Sequence, residues 1–313
     1  KIGFTCVLPP GHTELTKSKS TTMKFVAAVH ALSLLAARIA KAEFVPFSES
    51  PQNFSAIQLG LSCPASYIGK SVNQITWTIA PIASAIVTTI SSQPANLVDA
   101  TVDENGVLKF EYNDVSLTTH SGGTGVRIEV PHNQLEQIMT VGNSYVAQAL
   151  SGFLNLTMIE VESSNAVLSF LGWDGQVDFV ASGSNTVLYL GGEIDSWSLL
   201  GENHVINVQG SITRGDLSGS NCVLNVGGDI KEVLSVSGAN NVVLVPNCDN
   251  VSRQGMSNVC SEVSVPVDGP PTIDETSDKT KACGASSVVS MYKASRATLV
   301  APVAASSLYH FFL

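Results

Sequence analysis

The sequence predicts an all-β protein whose body is a parallel β-solenoid, a β-helix of roughly triangular section with coils of 18–20 residues, entered through a set of N-terminal strands. Three observations predict it. A phrase returns five times: Asn165-Ala166-Val167-Leu168, Asn185-Thr186-Val187-Leu188, Asn203-His204-Val205-Ile206, Asn221-Cys222-Val223-Leu224 and Asn241-Val242-Val243-Leu244, at spacings of 20, 18, 18 and 20 residues. Apolar residues alternate within each unit, as Leu188 and Leu190, Ile206 and Val208, Leu224 and Val226, which is the two-residue period of a strand with one buried face. Ile194, Ile212 and Ile230 lie six residues after the first of each pair. Six-residue steps in an 18-residue unit describe three short sides per turn. Helical repeats need about 33 residues or more, so the period excludes them. One coil cannot bury its own apolar face, and stacking supplies the continuous core.

Each element then has a reason. Equivalent residues of successive coils stack about 4.8 Å apart. Asn165, Asn185, Asn203, Asn221 and Asn241 are therefore expected to form a ladder at one corner. Their amides can bond along the stack, and Asn tolerates the left-handed backbone of a sharp corner. Gly183, Gly201, Gly219 and Gly238 are expected to serve the same corner through positive φ. The Val two residues after each Asn (Val167, Val187, Val205, Val223, Val243) has two readings. Strict alternation turns it outward, as a partner stripe or a seat for another segment; a turn at the corner points it inward.

Ahead of the coils, residues 56–61, 74–79, 86–90, 107–112 and 126–130 read as strands, and Pro81 and Pro94 break the apolar stretch between them. After Val245 the repeat ends. Residues 247–262 form a cysteine loop that closes the domain as a cap, so the solenoid domain is 43–262. Residues 263–285 are rich in Pro and Asp and read as a disordered stalk.

The two ends read as addresses. Met23 opens a secretory signal over 23–42: Lys24, then the 13 apolar residues 25–37, then Ala40-Lys41-Ala42, with cleavage before Glu43. Thirteen residues are too short to span a bilayer, which needs about 20. Residues 1–22 read as an upstream extension. Small residues at 283–287, a spacer with Lys293 and Arg296, and the apolar segment 297–313 form the arrangement of a glycosylphosphatidylinositol signal over 286–313, with Ser286 or a neighbour carrying the lipid. The alternative is a hydrophobic tail packed on the body.

Charge supports an extracellular body. Charged residues are 13% of the chain, about half the usual share. There are 16 Lys and Arg against 26 Asp and Glu, a net charge of −10, and between residues 43 and 285 the balance is 8 against 25, a net −17. Such a balance excludes nucleic acid as a partner and leaves membrane contact to a lipid anchor. Asn53, Asn155 and Asn250 open N-glycosylation triplets. Cys248 and Cys260 bracket a short loop and are the candidate disulfide; Cys63, Cys222 and Cys283 make the mature count odd.

The order of motifs resembles a known family, the auto-transporter adhesin head domains of the GIN type. Asp103-Glu104-Asn105-Gly106-Val107-Leu108-Lys109-Phe110 is similar to the family's early strand, and Val126-Arg127-Ile128-Glu129-Val130-Pro131 to the strand ending in Pro. Leu135-Glu136-Gln137-Ile138 then leads to Gly142-Asn143-Ser144 and the coils, so the resemblance covers about residues 54–245. It departs from the family in placing Asn where many members use Ser-Gly. The resemblance implies a surface-exposed, adhesin-like role and supplies no catalytic residues.

No catalytic signature emerges. The chain has neither H-E-x-x-H nor G-x-S-x-G, and Ser121-Gly122-Gly123-Thr124-Gly125 lacks the phosphate-loop Lys. His204 stands where other coils carry Ala166, Thr186 or Cys222, and reads as structural. The rival reading is a polysaccharide-active β-helix enzyme, needing clustered carboxylates and a base. Asp174 with Asp178, and Glu193 with Asp195, are its candidate pairs, and Arg214 and Lys231 its only bases in the coils. An ice-binding array would need a regular Thr row, and only Thr186 occupies the repeated slot. Arg214-Gly215-Asp216 is an adhesion tripeptide expected at a coil corner. The expected protein is a non-enzymatic, secreted or cell-surface adhesin-like module without metal or cofactor, whose partner is an extracellular glycan or protein.

Overall fold

A computed structural model describes residues 44–61, 71–113, 123–143, 146–263, 267, 269–277 and 280–282. The signal-type segment 23–42, the extension 1–22, Cys63, Ser121 and Gly122, Cys283, Ser286 and the tail 286–313 lie outside the described residues. No helix among the described residues is long and apolar enough to cross a membrane.

The protein is a β-solenoid: parallel coils of about 19 residues stack through about six turns. Two large sheets run along the stack. In sheet A, 11 strands lie side by side, and the repeating unit is a four-residue strand: Val167–Phe170, Val187–Leu190, Val205–Val208, Val223–Val226 and Val242–Val245, joined in parallel register. In sheet B, 10 strands lie side by side, with the longer partners Met158–Ser164, Gln176–Ser184, Glu193–Glu202, Ile212–Ser220 and Ile230–Ala239. Each of these coils thus gives one short strand to sheet A and one long strand to sheet B. The sheet B register shifts between Val177 and Asp178 and again between Ile212 and Arg214. Such a bulge bends the strand and changes the inward spacing from two residues to three. Hence Ile194, Trp197 and Leu199 are all buried.

The first end of the stack is less regular. Sheet A continues there through Val146–Ala149, Thr76–Ile82 and Gly125–Pro131, and ends in the antiparallel strands Thr89–Gln93 and Val45–Pro46. Sheet B ends in Gln137–Asn143, Ala56–Leu59, Val107–Tyr112 and the antiparallel Val98–Val102. Reversed, short outer strands are how a solenoid blunts an edge that would otherwise pair with another chain. The expected strand over 86–90 begins only at Thr89; Ile86 lies in a loop, 92% exposed. Pro81 lies inside the preceding strand, still in register with Val130, and after Ile82 the chain must swing across Gly125–Pro131 to reach the next position in the sheet.

The core is one continuous apolar column from Phe54 to Val245. Phe179 and Trp197 stack inside it, centroids 4.6 Å apart and planes 16° apart. The next coil places Gly215 in register with Trp197. A Cβ on Gly215 would stand 2.5 Å from Trp197 Cβ, so a large side chain is seated by a missing one. That is why Arg214-Gly215-Asp216 occurs here: it is the start of a bulged strand, with Gly215 making room for an indole.

The last turn corrects two expectations. The repeat does not end at Val245. Val251–Arg253 continues sheet B and Val259–Glu262 continues sheet A, each in parallel register with the coil before. Residues 247–262 are thus a further coil, stapled by a Cys248–Cys260 disulfide across 12 residues of sequence, rather than a loop lying over the end. Closing so short a loop removes about 3 kcal/mol of chain entropy from the unfolded state.

The described part of 263–285 is no stalk. It lies along the outside of sheet A and returns to the first end of the stack, where Thr280–Ala282 pairs antiparallel with Ser71–Asn73. The segment's Pro residues, which with its Asp suggested disorder, here favour an extended run with little chain entropy to lose.

Candidate binding faces, corners and strap

The corner column is built by backbone first. Asn165, Asn185, Asn203, Asn221 and Asn240 have φ of 54°, 53°, 57°, 57° and 56°, the left-handed region that Asn enters readily. Amides link the column where it is most regular: Asn221 Nδ2 donates to Asn203 Oδ1 at 3.3 Å, and Asn240 Nδ2 to Asn221 Oδ1 at 3.2 Å. Asn241, expected in this ladder, is not in it. It turns inward into the slot of Cys222, its Oδ1 accepting from Cys222 N at 3.0 Å and its Nδ2 donating to Gly219 O and Ser237 O at 2.9 and 2.8 Å. Gly fixes the register: the corner residue follows the Gly by two, as Gly183 to Asn185, Gly219 to Asn221 and Gly238 to Asn240. By the same rule the sixth corner, which the sequence reading missed, is Ser257 at φ 57° after Gly255.

Gly219 corrects the reason given for its column. Gly183, Gly201 and Gly238 have positive φ, but Gly219 is not among the positive-φ residues. What all four share is a neighbouring carbonyl. A Cβ at each would stand 2.0–2.4 Å from the carbonyl oxygen of the coil before.

Just inside the corner runs a buried polar column: Thr186, His204, Cys222, Asn241, then Asn258, half-buried. Thr186 Oγ1 bonds His204 Nδ1, and Asn241 N donates to Asn258 Oδ1 at 3.0 Å. Burial pushes the His204 imidazole below its ordinary pKa and the Cys222 thiol above its own. His204 is therefore neutral, as a packed structural group is.

The outward Val row is resolved. Val167, Val187, Val205 and Val223 face out and are half-buried. In the fifth coil Val242 takes that place, and Val243 is fully buried, following the one-residue offset at Asn240 and Asn241. Beside this row runs a second outward column on sheet A: Gln148, Ser169, Tyr189, Asn207 and Asn225. Asn225 Nδ2 donates to Asn207 Oδ1 at 2.8 Å. Partial burial raises the pKa of Tyr189.

The C-terminal strap crosses this face. Val267 approaches Gly227, and Gly269 approaches the Gln209 amide. Ser169 Oγ donates to Pro271 O at 2.7 Å. Gln148 holds Ile273 by both backbone groups: its Nε2 donates to Ile273 O at 2.7 Å and its Oε1 accepts from Ile273 N at 2.9 Å. Arg127 pairs with Glu275 and Glu129. Thr124 and Ser277 exchange backbone bonds of 2.8 and 3.0 Å. From the strand beside Gly227 to the strand of Gly125 is six steps of the sheet, about 29 Å at about 4.8 Å each. The eight peptide units from residue 267 to 275 reach about 26–29 Å when extended. The strap is therefore nearly straight. It runs across the strands, so it cannot join their ladder, and side chains hold it instead.

Sheet B carries no such cover among the described residues. Its outward positions hold Asp178, Ser198, Asp216, Ser218 and Ser237 beside Leu200, which is 61% exposed. Of the candidate catalytic pairs, Asp174 precedes the strand Gln176–Ser184 that carries Asp178, and Glu193 and Asp195 both lie on Glu193–Glu202. Lys231 Nζ bonds Glu193 Oε2 at 2.6 Å across two coils, and Arg214 approaches Asp195 at 4.0 Å. Both of these cations are thus turned to carboxylates. No group of three or more His, Cys, Asp or Glu among the described residues is placed to hold a metal. Of the glycosylation triplets, Asn53 stands exposed at φ 56°. Asn155 Nδ2 donates to Asn133 O at 2.8 Å, and Asn250 Nδ2 to Ile230 O at 2.6 Å.

Fold and faces define a class: a disulfide-stapled parallel β-solenoid with one strapped and one bare face. No family model matches the chain. No curated protein matches it either. Solved structures do. A candidate adhesin from Bacteroides fragilis is 10% identical, with a TM-score of 0.46, covering 70% of this chain and 95% of its own. A candidate adhesin from Parabacteroides merdae is 12% identical, with a TM-score of 0.34, covering 72% and 98%. Another from Parabacteroides distasonis is 13% identical, with a TM-score of 0.32, covering 71% and 94%.

Proposed function

We propose that the chain is a non-enzymatic adhesin-like module, secreted and held at the cell surface by a lipid at Ser286 or a neighbour, similar in plan to the GIN-type head domains. Its working face is the outside of sheet B, and its partner is an extended extracellular glycan. The observation that carries this reading is the contrast between the faces: among the described residues, the chain covers sheet A with its own strap and leaves sheet B open. An open parallel sheet stacks its outward positions in register, as Glu160, Val180, Ser198, Asp216 and Ser235 do, and so offers a regular ladder of mostly polar side chains to an extended polymer. Leu200, with Val233 on a later coil, adds apolar contact to that face. Glycosylation of Asn53 is compatible with it, because Asn53 precedes the first strand of sheet B rather than lying on the repeated coils.

A glycan array probed with the full chain tests the reading. Binding to a defined set of polymers is expected, with a loss of tenfold or more on L200D and no loss on Y189S. No retention of any glycan, or release of sugar fragments from one, overturns it. Release of the protein from intact cells by a phosphatidylinositol-specific phospholipase tests the anchor separately.

A further inference from the structure

We infer that the first end of the solenoid is its lipid-facing end, and that the loop over 83–88 seats Ile86 and Val87 in a zwitterionic phosphatidylcholine surface. The inference rests on the surface-attached reading above and adds which end of the molecule meets the bilayer.

Two independent observations carry it. The strap decides where the chain emerges. Beginning beside Gly227 in the later coils, it returns past Ser169, Gln148 and Arg127 and ends in Thr280–Ala282 against Ser71–Asn73. Residues Ser71–Asn73 lead directly into Thr76–Ile82, one of the first strands of the stack. The described chain therefore leaves the body at the first end, with Ala282 four residues short of Ser286, where the lipid is proposed above.

The loop between Thr76–Ile82 and Thr89–Gln93 lies at this same end, because it passes over Gly125–Pro131 toward the outer strands. Ile86 is 92% exposed and Val87 58%, and Val45 on the outermost strand of sheet A is 45% exposed. An isolated exposed apolar residue needs no explanation, but two adjacent ones at a loop tip expose surface that water solvates poorly. Residues 71–98 contain no Lys, Arg, Asp or Glu, the longest uncharged run between residues 43 and 285. The tip can therefore enter the headgroup region without carrying a charge into it. The body's net −17 is repelled by anionic lipid, which selects a zwitterionic surface.

The opposite end offers the competing candidate. Met256 is 75% exposed and Val259 48% in the final coil. Only the strap separates the two ends, since it carries the chain away from that coil.

The test uses the full chain with an environment-sensitive fluorescent amino acid at position 86, or at position 256, mixed with phosphatidylcholine vesicles and floated on a density gradient. The expected result is flotation, a shift of the position-86 emission to shorter wavelength, and no shift at position 256. The double variant I86D/V87D, altering only exposed side chains, should keep its melting profile while losing contact of the tip, read as quenching by lipid-embedded quenchers falling to background. Flotation with no shift at position 86, or with a shift at position 256, overturns the end assignment and leaves surface attachment standing. Failure to float overturns both.

Discussion

Sheets A and B share one interior and are finished differently outside. Both bury their alternate residues in the same column, Leu188 and Ile206 from one side, Phe179 and Leu199 from the other. Outside, sheet A presents Val and then Gln148, Ser169 or Tyr189, all covered in part. Sheet B presents Ser, Asp and Leu200, mostly open. The difference teaches how a solenoid face is closed. A segment lying along the stack meets the strands crosswise, where their backbone groups are already spent on each other. It is held where side chains reach out to it, Gln148 through both donor and acceptor, Ser169 through its hydroxyl and Arg127 through its guanidinium, and where Thr124 and Ser277 exchange backbone bonds. On sheet B no described segment is held in this way, and the face stays free for another partner.

The largest effect tests the shared interior. W197A removes a fully buried indole that stacks on Phe179 from sheet B and belongs to the core both sheets build. It should lower stability by about 3–5 kcal/mol in urea unfolding. A loss near 1 kcal/mol would mean that the sheets do not pack as one body. Next comes the strap. Gln148 is 2% exposed and bonds both Ile273 backbone groups and Thr78 Oγ1. Q148A should cost about 1–3 kcal/mol by leaving those groups without partners. Hydrogen exchange localises the effect: the Ile273 amide should exchange much faster, while the Leu199 amide in sheet B keeps its rate. Equal acceleration at both would break the distinction between the faces.

Most of the scaffold was legible in the sequence because strand period and coil period are local signals. Leu188, Leu190, Ile206 and Val208 alternate, and the phrase recurs, so the coil and its inward face could be read directly. The disulfide was legible because two cysteines flanked one short segment. The fifth corner was misread through a doublet, Asn240-Asn241, in which either residue suits a left-handed turn; the Gly two residues ahead decided it. The last coil was missed because Val251–Arg253 and Val259–Glu262 carry few apolar residues, an end coil having one face to solvent. The strap was illegible for a different reason. Its bonds reach back 102 and 125 residues, and its Pro-rich composition is the same whether the segment is free or docked. Of the candidate site, the uncovered face could not be read either. Which sheet is open depends on where the strap lies.

The smallest effects make the sharpest comparison, because one chemical change can be placed on both faces. Ser169 on sheet A is fully buried, and its hydroxyl donates to Pro271 O at 2.7 Å. Ser218 on sheet B is exposed, and its hydroxyl shares a 2.9 Å bond with that of Ser237. Removing the oxygen from Ser169 leaves a strap carbonyl without its donor, so S169A should cost about 1 kcal/mol. Removing it from Ser218 returns Ser237 to water, so S218A should stay within about 0.5 kcal/mol. Thermal unfolding of the two variants side by side reads the difference directly. Equal costs would place the strap off Ser169 in solution. A larger cost for S218A would mean that sheet B is covered after all, and the open face would have to be sought elsewhere on the coils.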